Sequence, residues 1–137
     1  MVDEPSLIPA AVEESLRFDA PVLGLYRTNT EEISLHGVSI PERSKVMATY
    51  GAANRDPNIF SNPDEFRLDR PQEELRKHLS FGLGRHFCPG AQLSRMEAKL
   101  ALEEVSRRFP NLRLVSNPKR IEPFLLWGRK ELAVRWD

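Results

Sequence analysis

The chain's one cysteine stands in the stretch FGLGRHFCPG, which runs from Phe81 to Gly90 with the thiol at Cys88. A thiol in such a place can ligate a metal, attack as a nucleophile, or simply fill a small apolar space. Gly82, Gly84 and Gly90 let the backbone turn tightly or approach a flat object closely. The segment that follows reads as a helix, and orphan amides at a helix N-terminus favour a thiolate just ahead of it. Pro89 suits that entry, where its missing N–H is not needed. A nucleophile requires a base, and His86 and His78 are the nearby candidates. Neither comes with an assignable orienting Asp or Asn, and no strand-turn-helix elbow is evident. The cysteine and three scattered histidines lack the CxxC or HExxH spacing of a zinc site. A single axial thiolate does suffice for haem iron.

Several elements must position this loop. Pro9 opens a helix over residues 8–19, with Ile8, Val12 and Leu16 on one stripe and Pro21 closing the segment. Glu14 and Arg17 share a helical face, a spacing that by itself describes a surface ion pair. Residues 22–50 read as a small, mainly antiparallel sheet: Val22 to Thr28, Ile33 to Ile40 broken by a turn at Gly37, and Lys45 to Tyr50. Residues 51–80 are dense in turn formers (NRDP, SNPDEF, DRP) and make a long irregular loop region, of the kind that is functional when it persists in a compact domain. Residues 91–109 form the clearest helix, with Leu93, Met96, Leu100, Val105 and Phe109 as its expected apolar stripe and Pro110 as its stop. Short strands fill 112–137: Leu112 to Val115, Phe124 to Trp127, and the alternating Leu132, Val134 and Trp136.

Composition sets bounds on all of this. The chain has 137 residues, 40% hydrophobic and 29% charged, as a globular domain does. Twenty basic and twenty acidic side chains cancel, which points to no nucleic-acid or anionic-membrane partner. Acidic residues interrupt the first fifteen positions, unlike a signal peptide, and no apolar run is long enough to span a bilayer. A single cysteine excludes an internal disulfide and fits a reducing, cytoplasmic setting.

Phe81, Gly84, Cys88 and Gly90 match the Phe-x-x-Gly-x-x-x-Cys-x-Gly signature of the cytochrome P450 family. Other matches follow the family's order. Glu14-Ser15-Leu16-Arg17 looks like the Glu-x-x-Arg helix, Phe66 to Arg70 resembles the segment whose arginine completes a Glu-Arg-Arg network, and Gly51 to Pro57 resembles the run after the first sheet. His78 and Glu97 also fall where bacterial members carry them. The resemblance covers about Leu7 to Trp136 and implies an α+β fold corresponding to the C-terminal third of a P450: one incomplete domain, with the cysteine loop at 81–90 and the long helix behind it.

That resemblance implies haem b (iron protoporphyrin IX) as cofactor, with Cys88 as proximal thiolate ligand of the iron. Phe81 and Gly82 would lie beside the ligand, and amides around Gly90 would donate to sulfur. Arg27, His78 and His86 would contact the propionates, and Glu14, Arg17 and Arg70 would form a scaffold network locking the cysteine loop. The reaction implied is insertion of one oxygen atom from O2 into a small organic substrate, with electrons from a ferredoxin or flavoprotein docking near Arg85, Arg95 and Lys99. Val22, Leu23, Leu125 and Leu126 are the candidate pocket walls, and His36 has no assigned role. The helices that precede this region in the family are absent, so a lone chain would be a poor monooxygenase. Its uncovered apolar faces imply a complementing chain or self-association. Two other readings stand beside this one: a short P450-like haem-binding or interaction protein without catalysis, and a haem-free remnant in which Cys88 is merely packed.

Overall fold

The computed structural model describes residues 2–122 and 125–137. A short 3₁₀ turn (Pro5–Leu7) leads into α1 (Ile8–Phe18), with Pro9 in its first turn. The strands β1 (Leu25–Thr28), β2 (Ile33–Leu35), β3 (Val38–Ile40) and β4 (Lys45–Ala48) follow. Next come two one-turn helices, α2 (Tyr50–Ala53) and α3 (Gln72–Leu75), then the cysteine loop and α4 (Ala91–Arg108). The tail carries β5 (Arg113–Leu114) and β6 (Val134–Arg135).

The expected sheet over 22–50 is two separate antiparallel ladders. β1 pairs with β4, Leu25 opposite Ala48, whereas β2 pairs only with β3 as a hairpin. The reason lies in the turn: His36 and Gly37 both take positive φ (49° and 80°), and this two-residue loop closes β2 tightly onto β3. The expected first strand also begins later, at Leu25. Val22 instead bridges Leu126 of the tail, and the Leu23 N–H donates to the Leu125 carbonyl. Of the tail strand expected from Phe124, the first residue lies outside the described residues.

The tail is tied down by Asp19, at the C-terminal end of α1. Arg120 donates to both Asp19 carboxylate oxygens (2.7 and 2.9 Å), and the Trp127 indole N–H donates to one of them (2.8 Å). The Arg120 guanidinium also lies 4.1 Å from the Trp127 ring centroid.

The interior is small and half polar. Ile8, Ala11, Val12, Ala20, Phe60, Leu75 and Ala91 are its buried apolar residues, and Glu14, Arg17, Asn54, Arg70, His78 and Ser80 are buried with them. The first three residues of the stripe expected to bury α4 are turned the other way, while Val105 and Phe109 fall on the side of Ala91. Leu93, Met96 and Leu100 are 53%, 53% and 52% exposed, and Ala91 is the buried residue of that helix. At 100° per residue, Leu93, Met96 and Leu100 lie roughly opposite Ala91, Ala98 and Leu102. The helix therefore has two apolar faces, of which α1 covers one.

Candidate functional site

The loop from Phe81 to Gly90 is closed on itself before anything else touches it. The Cys88 N–H donates to the Phe81 carbonyl (2.9 Å), Phe87 N–H to Gly84 (3.0 Å), and Gly82 N–H to Leu79 (2.8 Å). Gly82 and Gly84 take φ of +73° and +70°, a region L side chains rarely enter. At Gly84 an added Cβ would meet nothing within 4 Å, and at Gly82 it would reach the His86 carbonyl and the Tyr50 hydroxyl only at an ordinary contact distance of 3.6 Å, so at both the requirement is conformational. Of the amides around Gly90, the Ala91 N–H donates to the Cys88 carbonyl oxygen (3.2 Å). A Cβ on Gly90 would stand 3.7 Å from Sγ, so glycine there leaves the sulfur open.

Cys88 opens into a concavity of about 370 Å³ walled by Leu16, Pro21, Val22, Leu25, Phe81 and Gly82, with His86 at its edge. Of the residues expected to form the site, Cys88, Phe81, Gly82 and His86 meet here. Val22 also reaches it, whereas Leu23 faces a different hollow beside Gly51 and Trp127. Arg27 does not arrive: it lies exposed on β1 and donates to the Tyr26 carbonyl. His78 is buried and turned to Glu13, its Nε2 3.1 Å from Oε2. The half-buried Glu13 carboxylate on α1 is thus the partner of that ring. A larger groove of about 470 Å³ runs between α1 and α4 past Val12, Phe66, Ala98 and Leu102, and shares Leu16, Pro21 and Ser94 with the cysteine cavity.

Beneath the loop lies the Glu14 network. The Glu14 carboxylate accepts from Arg17 Nε and Nη2 (2.7 and 2.8 Å), Arg70 Nε (3.1 Å) and the Arg67 backbone N–H (2.9 Å). Burial pushes its carboxyl up, but these donors outweigh it and hold Glu14 below the usual carboxylate range. Both arginines spend their remaining N–H groups on the irregular loop: Arg17 on the carbonyls of Asn54, Pro63 and Glu65, Arg70 on those of Ser61, Asn62 and Glu65 and on Glu74. Residues 51–80 can thus be irregular yet partly buried, because guanidinium groups satisfy carbonyls that a helix or strand would have paired.

Among the described residues this network makes no direct hydrogen bond to the cysteine loop. The link is Asn54, fully buried, a residue the sequence reading took for a turn former. Its Oδ1 accepts from the Leu79 N–H (2.7 Å), its Nδ2 donates to Ser80 Oγ (2.8 Å), and Ser80 Oγ donates to the Leu16 carbonyl (2.6 Å). Glu13 was missed as well. Burial raises its carboxyl, yet hydrogen bonds from His78 and Arg95 hold it at about 2. Arg95, expected at a docking surface, is therefore engaged inside the molecule, while Arg85 is exposed and Lys99 pairs with Glu103 at 3.5 Å.

The cavity suits a flat, largely apolar group. Its wall is mostly carbon, its loop is stripped of side chains at two glycines, and it presents one sulfur. Among the described residues no three His, Cys, Asp or Glu side chains converge. A metal here would take Cys88 from the protein and its other ligands from the group that carries it.

The family model for cytochrome P450 matches residues 2–134. The chain is 41% identical to cytochrome P450 107B1 of Saccharopolyspora erythraea over 97% of its own length and 33% of the relative's. It is 42% identical to the biotin biosynthesis cytochrome P450 of Bacillus subtilis, over 98% of the chain and 34% of that protein. Among solved structures, cytochrome P450 CREJ in complex with (4-ethylphenyl) dihydrogen phosphate superposes with a TM-score of 0.95 at 38% identity, covering 99% of this chain and 34% of the other. The chain spans about a third of the length of the curated relatives it matches.

Proposed function

Because the chain belongs to the cytochrome P450 family, whose cofactor is haem b, we propose that it supplies the thiolate side of a haem b site in a monooxygenase that inserts one oxygen atom from O2 into a small organic substrate. The observation that carries this reading is Cys88 opening into an apolar hollow behind two positive-φ glycines. A merely packed cysteine would have a filled interior on that side.

In this reading Cys88 Sγ would hold the haem iron. Gly82 and Gly84 keep the loop low enough for a flat macrocycle to lie over it, and Phe81 excludes water beside the sulfur. His86, at the rim, presents its ring to a carboxylate. When bound, haem supplies the redox and oxygen-activating chemistry, and thiolate ligation favours O–O cleavage. Val22 and Leu25 wall the same hollow from β1 and the segment before it. Leu125 and Leu126 approach through their pairing with Leu23 and Val22 and belong to the substrate side. Electrons would come from a ferredoxin or flavoprotein, for which exposed Arg85, three residues before the cysteine, is the candidate docking cation. No helix of the described residues is long and apolar enough to cross a membrane, and a cytoplasmic setting accords with the lone free thiol.

The test is spectroscopic. The chain, given haemin, reduced and exposed to carbon monoxide, gives the red-shifted Soret band of thiolate ligation, and Cys88→Ser loses it. A histidine-like band in both proteins, or no uptake of haem, refutes the reading.

A further inference from the structure

Building on the reading of Cys88 as an axial ligand, we propose that Arg95 is a positioning residue for the cysteine loop and that it acts through the ring of Phe81. Arg95 lies near the start of α4. Its guanidinium forks onto both oxygens of Glu13 on α1, Nε to Oε1 at 2.5 Å and Nη2 to Oε2 at 3.1 Å. That fork fixes the plane and place of the guanidinium, which lies over the Phe81 ring with Cζ 4.7 Å from the centroid. Phe81 in turn lines the cysteine cavity and takes the Cys88 N–H on its carbonyl at 2.9 Å. Two helices are thereby connected to the sulfur in three steps: Glu13, Arg95, Phe81.

The other groups around this cation support position over charge as the operative property. His78 shares Oε2 of Glu13 at 3.1 Å, and the Ser80 N–H donates to its Nδ1 at 3.2 Å. That bond needs an unprotonated Nδ1, so the ring proton sits on Nε2 and points at Glu13. Glu13 then offsets the guanidinium charge at close range. What reaches the sulfur is a fixed ring. Phe81 is further flanked by the His78 ring at 6.1 Å and the Phe87 ring at 6.5 Å, and Arg95 is the neighbour that lies over its face.

Cys88 is the only thiol in the chain, so its rate of reaction with a chromogenic disulfide reagent reports the cavity without any haem added. Arg95→Met should raise that rate about fivefold, in line with one cation–ring contact. Phe81→Leu should raise it alike, and the double variant no further than either. Arg95→Lys, which keeps the charge but not the fork, should behave as Arg95→Met. Circular dichroism checks that each variant folds; should Arg95→Met not fold, Arg95→Lys carries the same cycle. Additive effects, a parental rate in Arg95→Met, or a parental rate in Arg95→Lys would each overturn the assignment. The cycle can fail while thiolate ligation stands, and ligation can fail while the cycle succeeds, so the two readings are tested separately.

Discussion

Burying the Glu14 carboxylate is unfavourable by itself, and so is burying either arginine beside it; together with Glu74 they are two positive and two negative groups whose hydrogen-bonding capacity is nearly used up. Removing one member leaves uncompensated charge in the interior. Glu14→Ala should cost on the order of 3–5 kcal/mol, read as the drop in unfolding free energy from denaturant titration, and a loss under about 1 kcal/mol would place the pair in the surface class its spacing suggests. Acid should find the same residues. Glu13 and Glu14 are both held below the carboxylate value of 4.5, Glu13 at about 2. A depressed acid binds fewer protons folded than unfolded, so its contribution is present above about pH 4.5 and is lost as pH falls toward the folded value. The melting temperature should therefore fall steeply between about pH 5 and pH 2, and Glu13→Gln should flatten that decline; an unchanged slope contradicts it. Glu14, Arg17 and Arg70 were legible in sequence as a motif. Their shared burial was not, because the carbonyls Arg17 serves lie 37, 46 and 48 residues further along the chain and Arg70 itself lies 56 residues beyond Glu14.

Local pattern and tertiary placement part company most clearly in α4. Its periodicity is evident from the sequence, and a helix does run from Ala91 to Arg108. Which of its two apolar faces meets α1 depends on side-chain size: Ala91 and Ala98 allow close approach where Leu93, Met96 and Leu100 would hold the helices apart. Turn chemistry was legible where a positive φ leaves its mark on residue choice, as at Gly37. It was violated at Arg43, which sits at φ 61° in the turn before β4. With its side chain 86% exposed, Arg43 gains nothing evident from that conformation, so Arg43→Gly should stabilise the chain by about 0.5–1 kcal/mol. Gly84→Ala should do the reverse by about 1–2 kcal/mol. Both are read from denaturant midpoints, and equal signs for the two would refute the strain argument.

The molecule as a whole exposes 9979 Å², where a compact monomer of its 15.7 kDa would expose about 7300 Å². Much of the excess is apolar: the outer face of α4, the groove between α1 and α4, and the wall of the cysteine cavity. An excess of this size exceeds one side of a standard interface, roughly 800 Å². The chain in isolation should bind a hydrophobic dye strongly and self-associate in light scattering, and Leu93→Glu with Leu100→Lys should reduce both; a dye-silent monomer would contradict this. The sequence by itself determined the fold class and the cysteine loop, because these rest on contiguous signals: a helical period, a run of glycines around one thiol, a Glu-x-x-Arg spacing. The tertiary structure alone decided which polar residues lie inside, that His78 pairs with Glu13 while Arg27 lies exposed on β1, and that Glu13, Asn54 and Arg95 stand behind the loop. Those outcomes depend on charge compensation and carbonyl satisfaction between segments far apart in the chain, and no local pattern records which distant partner will be there.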